Sequence, residues 1–134
     1  MMKKISLFVA MVAIAFSSSA SADDIKIGNH FAGIALTANQ STVLVTAAQN
    51  TGGISLKSAS WYMSGNGGAI SLIATCSDNV AKYFFSGWNT TTNSATQGSL
   101  TNSYFIPAGC SLTARQDGGG SGVSNLNATY DLLN

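Results

Sequence analysis

Of two cysteines, Cys76 ends and Cys110 begins an alternating run of apolar residues, and that coincidence constrains the fold more than any other feature of the chain. Ile70, Leu72, Ala74 and Cys76 share one parity opposite Ser71 and Thr75, with Ile73 the exception. Cys110, Leu112 and Ala114 share one parity opposite Ser111, Thr113 and Arg115. A period of two is the repeat of a β-strand with one buried face. Both thiols therefore sit at the inward register of their strands, where two strands of one core bring them together. The spacing is not C-x-x-C and His30 is the only histidine, so a metal or redox pair has no support and a structural disulfide is expected. Closing the loop of about 35 residues between them stabilises the fold by roughly 3.5–4 kcal/mol in the chain-entropy picture.

A disulfide implies an oxidising compartment, and the first residues supply the route. Met1-Met2-Lys3-Lys4 is a short cationic start, Ile5–Phe16 is an apolar run, and Ala20-Ser21-Ala22 is an A-x-A cleavage pattern before Asp23. These are the three parts of a secretory signal in order. The apolar run is well short of the ~20 residues that span a bilayer. Residues 1–22 are therefore expected to be cleaved, leaving 23–134 as a single secreted or periplasmic domain with no membrane span.

Loss of Lys3 and Lys4 leaves Lys26, Lys57, Lys82 and Arg115 against Asp23, Asp24, Asp78, Asp117 and Asp131, with no glutamate. So little charge excludes the basic footprint of a nucleic-acid binder and the polybasic patch of a lipid binder. It also removes the repulsion that keeps copies apart, so self-association is permitted.

Along the chain, short alternating segments are separated by turn residues, the pattern of an all-β domain. Strands are expected at Ile25–Ile27, Phe31–Leu36, Thr42–Thr46, Ile54–Met63, Ala69–Cys76, Val80–Trp88, Ser99–Ile106, Cys110–Arg115 and Asn125–Leu132. Inward parity changes between Ile54/Leu56 and Ala59/Trp61/Met63, which predicts a bulge near Ser58. Ser64-Gly65-Asn66-Gly67-Gly68 is the strongest hairpin signal, because Asn-Gly tolerates positive φ at both turn positions. Asn89–Gln97 and Asp117–Gly122 read as loops. About eight short, mainly antiparallel strands fit one β-sandwich or jelly roll stapled by the Cys76–Cys110 bridge.

Groups for catalysis are scarce. An enzyme of this composition would be a small hydrolase using His30 with a serine or aspartate, but no Gly-x-Ser-x-Gly elbow marks a nucleophile. Asp78 and Asp117 occupy turn positions and Asp131 alternates outward, so no carboxylate pair stands out. No metal-ligand spacing, calcium loop or phosphate loop is present, and no cofactor is implied. The aromatics carry more information. Trp61 and Tyr62 are adjacent in one strand and must point to opposite faces; with Tyr83 and Phe85 inside, Phe84 and Trp88 would face out. Exposed Trp or Tyr on a sheet stacks on sugar rings or anchors a protein interface. Trp61, Tyr62, Tyr83 and Trp88 are thus the candidate contact residues of a non-enzymatic domain that binds a protein or a carbohydrate, or assembles with itself as a surface subunit.

Overall fold

A computed structural model describes residues 28–65, 68–89, 95–100, 102–118 and 122–134. The expected signal segment, the strand expected at Ile25–Ile27 and the run Thr90-Thr91-Thr92 lie outside those residues. The described chain is all-β, with nine strands: β1 (His30–Leu36), β2 (Ser41–Val45), β3 (Ile54–Ser64), β4 (Gly68–Thr75), β5 (Ala81–Asn89), β6 (Ala95–Leu100), β7 (Tyr104–Ile106), β8 (Ser111–Asp117) and β9 (Ser124–Leu132).

The strands form two antiparallel sheets. One has the order β1-β9-β3-β6, with β7 also paired to β3; the other has the order β2-β8-β4-β5. β1 approaches β2 at one side of the sandwich and β5 approaches β6 at the other. Among the described connections only β4–β5 joins hydrogen-bonded neighbours. Its turn is closed by the Asn79 amide donating to the Cys76 carbonyl, with Asn79 at φ 54°.

This topology corrects the expected hairpin at Ser64–Gly68. β3 pairs with β6, β7 and β9, whereas β4 pairs with β5 and β8, so the Asn-Gly segment carries the chain from one sheet to the other. Two strands that each bury one face have two ways to hide it, side by side or face to face. Turn chemistry sets the reversal but not which of these follows. Here the inward residues of β3 (Ala59, Met63) and β4 (Ile70, Leu72, Ala74) enter one core between the sheets.

The expected strand Ser99–Ile106 is also divided. β6 begins earlier, at Ala95, inside the polar stretch that composition assigns to a loop, and β7 follows after a break. Both lie along the same edge of β3, which is long enough to hold them end to end. The bulge expected near Ser58 is present: Leu56 faces Tyr130 while Ser58 faces Thr129, leaving Lys57 as the extra residue.

Leu36, Ile54, Leu56, Ile70, Leu72, Ile106, Leu112 and Leu126 are fully buried and form the centre of the core. Cys76 and Cys110 are bonded, and they extend the β4–β8 ladder one step beyond its last partners, Thr75 and Ser111. The bridge therefore ties neighbouring strands within the four-stranded sheet. Cys110 is buried, Cys76 is half-buried, and both touch the core. Asn50, itself buried, holds the chain leading into Cys110 by donating to the carbonyls of Pro107 (2.7 Å) and Cys110 (2.9 Å).

Candidate functional site

The register assigns each candidate aromatic to a face, because residues directly opposite in a ladder project to the same side. Trp61 lies opposite Leu126 and points between the sheets. Its indole stacks on Phe85 from the other sheet, with centroids 4.4 Å apart and planes 12° from parallel. Gly98 on the neighbouring strand and Gly87 on β5 face the indole so closely that a Cβ at either position would collide with it. Trp61 is thus a pillar between the sheets, held by two glycines that sequence reading leaves without a role. Tyr62, its neighbour, projects outward and is 42% exposed.

The second aromatic group departs from simple alternation. In the β4–β5 ladder Leu72 faces Phe85 but Ile73 faces Tyr83, so Phe84 is an extra residue. This bulge turns both Phe84 and Phe85 toward the core, where Phe84 meets Tyr104 edge-on at 5.4 Å. Tyr83 is displaced to the outer face, contrary to the parity that places it inside with Phe85 and sends Phe84 out. Trp88 lies opposite Ala69 on that same outer face, as alternation requires. Tyr83 is 56% and Trp88 68% exposed. Their β4 partners, Ile73 and Ala69, are four residues apart, which sets the two aromatics about 13 Å apart along the sheet.

The four candidates therefore separate into one interior residue, one residue on the outer face of the five-stranded sheet and two on the outer face of the four-stranded sheet. The cross-strand rows of the latter face are Val43–Thr113–Ile73–Tyr83, then Ser41–Arg115–Ser71–Ser86, then Asp117–Ala69–Trp88. Arg115 and Asp117 form an ion pair on it. Ile73, Ser71 and Ala69 are buried although they point outward. Their ladder neighbours include Tyr83, Arg115 and Trp88, long side chains on both flanks of β4 that account for the cover.

The outer face of the five-stranded sheet is chemically different. One cross-strand row reads Gly33–Asn127–Ser60–Ser99 and the next reads Ala35–Asn125–Tyr62–Gln97. Ser60, Tyr62, Gln97, Gly98, Ser99 and Asn127 line a shallow open depression there, with Trp61 behind it. No charged residue lines it. Among the described residues, the side chains of Ser60, Gln97, Ser99, Asn125 and Asn127 make no hydrogen bond within the protein. Several other amides among the described residues are engaged: Gln40 and Gln49 close turns by accepting from Thr37 and Thr46, and Asn39 accepts from Gly118. On the far side of the row from Tyr62, Phe31 is 70% exposed. Its ring lies against Gly33, where a Cβ would approach it within 3.2 Å. Sequence reading singles out Tyr62 but not the amides, since their shared row depends on pairing between strands distant in sequence.

His30 is the first residue of β1 rather than part of a link between strands. It is exposed, and its ring stacks on Tyr130 at 5.3 Å. Among the described residues no hydrogen bond joins it to a serine or aspartate. The nearest acidic residue in the ladder, Asp131, accepts from the Asn29 amide at 2.6 Å and pairs with Lys57 at 3.3 Å. The Asn29 hydrogen bond, with Lys57 beside it, holds the Asp131 carboxyl below its ordinary range. Asp78 fills the turn role its position implies, accepting from Val80 and pairing with Lys82. No group of three His, Cys, Asp or Glu is placed to hold a metal among the described residues, and no helix there is long and apolar enough to cross a membrane. The sequence matches no protein-family model and no curated protein.

Proposed function

We propose that this is a non-catalytic binding domain that works outside the cytoplasm and captures a neutral carbohydrate on the outer face of its five-stranded sheet. One observation carries the reading. Four uncharged hydroxyl and amide side chains with no partner inside the protein, Ser60, Gln97, Ser99 and Asn127, share a shallow depression beside the exposed ring of Tyr62. A sugar presents hydroxyls that donate and accept, and an apolar C–H face that stacks on an aromatic ring. Asn127 and Gln97 offer donor and acceptor on one planar group, Ser60 and Ser99 do so on a hydroxyl, and Tyr62 supplies the stacking surface. An ionic ligand would find no counter-charge in the depression. The disulfide is compatible with an extracytoplasmic location.

A second reading has its own observation. Trp, Tyr and Arg are the residues that dominate protein–protein contacts, and Trp88, Tyr83 and Arg115 share the outer face of the other sheet. That face suits a protein partner.

The purified protein should be tested for retardation in gels containing neutral polysaccharides, with Tyr62→Ala, Asn127→Ala and the double variant Tyr83→Ala/Trp88→Ala alongside. The carbohydrate reading expects retardation at low and high salt alike, reduced at least about tenfold by either of the first two variants, since each removes a stacking or hydrogen-bonding partner. Retardation lost only in the Tyr83/Trp88 variant would move the site to the other sheet. No retardation on a broad set of neutral glycans removes the carbohydrate reading.

A further inference from the structure

A sandwich leaves unpaired strand edges, and proteins usually disable them with charge, proline, bulges or short strands. Three of the four edges here carry such a device. β2 has an extra residue, Leu44, between the partners of Thr113 and Leu112. β5 has the Phe84 bulge and Lys82. The edge beside β3 is divided between two short strands, β6 and β7. β1 has none of these. It runs seven residues, His-Phe-Ala-Gly-Ile-Ala-Leu, without an ionised carboxylate, lysine, arginine or proline. Its register with β9 is unbroken from His30–Tyr130 to Leu36–Ser124. Among the described residues no strand pairs with it on the other side.

We propose that this edge is a dimerisation site at which β1 of one copy pairs antiparallel with β1 of a second copy, about a twofold axis at Gly33. The occupant follows from the sequence of the edge. In this register Gly33 meets its own counterpart and Phe31 lies opposite Ala35 of the other copy, so the exposed ring sets against the smallest side chains of the strand. Isologous pairing of this kind closes on itself as a dimer. The small net charge of the domain leaves little repulsion to oppose it.

The register has a structural consequence. Gly33 belongs to the row Gly33–Asn127–Ser60–Ser99, so the axis joins two copies of that row into one polar lane of eight strands. At the usual strand spacing the lane is about 34 Å long. The dimer does not require carbohydrate binding, but if the lane does bind glycans, dimerisation doubles the reach of the site. The β5 edge, with Tyr83 and Trp88, remains free at the far side of each copy.

An interface of one strand pair is smaller than a standard protein interface, so the expected dissociation constant is on the order of 10 μM. Sedimentation velocity of the purified protein across about 1–200 μM should show a monomer–dimer equilibrium. Phe31→Lys/Ala35→Lys places lysines opposite each other at two points and should raise the dissociation constant at least about tenfold. Val43→Lys, on the other sheet, should leave it unchanged. Gly33→Cys should give a covalent dimer on mild oxidation, because directly opposed Cα atoms in an antiparallel pair lie within disulfide reach; Ala35→Cys should not. A protein that stays monomeric throughout, or dimers indifferent to the lysine pair, would overturn the proposal. Open-ended assemblies would overturn the twofold form. Loss of glycan retardation with the dimer intact touches the binding reading alone.

Discussion

At the depression of the five-stranded sheet the outward side chains are mainly Ser, Asn, Gln and Gly, with Tyr62 and Phe31 beside the rows they form. Across the four-stranded sheet they include Val43, Tyr83 and Trp88 around the Arg115–Asp117 pair. Both faces come from the same in–out alternation, yet they divide the labour of the molecule differently. Long side chains on the four-stranded sheet cover the outward residues of β4, so that Ile73 and Ser71 are buried although they point away from the core. Its outer face therefore contributes to stability. The five-stranded sheet leaves its amides solvated and its depression open. Polar groups that hold nothing together inside the protein are free to hold something else.

The disulfide gives the sharpest test of this division, because it lies wholly within the four-stranded sheet. Replacing both Cys76 and Cys110 by alanine should cost roughly 3.5–4 kcal/mol of stability and lower the melting temperature by about 15 °C or more. The loss should be uneven. Amide hydrogen exchange should accelerate first at the Thr75–Ser111 end of the β4–β8 ladder, with β3 and β9 protected until global unfolding. Equal acceleration in both sheets would mean that they share one cooperative unit and that the contrast is only one of surface.

The outer faces themselves should separate by substitution. Tyr83→Ala and Trp88→Ala each uncover a buried β4 neighbour and should each cost about 1 kcal/mol. Tyr62→Ala and Asn127→Ala uncover nothing in the core and should stay within about 0.5 kcal/mol. Urea denaturation of the four variants is sufficient. If the Tyr62 and Asn127 variants lose as much as the other two, the depression is part of the structural frame and its polar groups are not spare.

The contrast was only partly legible in the sequence, and the reason is physical. Alternation located most of the strands, the inward cysteines and the Lys57 bulge, because each is written in a local period. It set Trp61 and Tyr62 on opposite faces for the same reason. It misplaced Tyr83 and Phe84, because an inserted residue shifts parity and Tyr83-Phe84-Phe85 is apolar at every position. It could not tell that Ser64–Gly68 crosses between sheets, since a turn reverses the chain whether the next strand lies beside the last or beneath it. The row Asn127–Ser60–Ser99 draws on β9, β3 and β6, and no local signal aligns residues that far apart. Gly87 and Gly98 carry no local signal of their role, which comes from Trp61 packing between strands far apart in sequence.

The smallest expected effect distinguishes the sheets by acid. Asp131 on the five-stranded sheet accepts from the Asn29 amide at the entry to β1, and that bond followed by Lys57 lowers its pKa from the ordinary 3.8. Asp78, in the β4–β5 turn, is lowered chiefly by Lys82 and then by the Val80 amide. For a carboxyl whose folded pKa is depressed, the stabilisation is complete well above 3.8 and is lost as pH falls through that value toward the folded pKa, because the unfolded chain takes up the proton first. Both contributions should therefore fade below about pH 4. Both groups are solvent-accessible, so the slopes should be shallow and weaken with salt. Asp131→Asn should flatten the acid limb and loosen β1 selectively, seen as faster exchange at Phe31 and Ala32. Asp78→Asn should flatten it while leaving β1 unchanged. Identical exchange patterns in the two variants would mean that the Asn29–Asp131 bond does not anchor β1, and the regular edge of that strand would need another support.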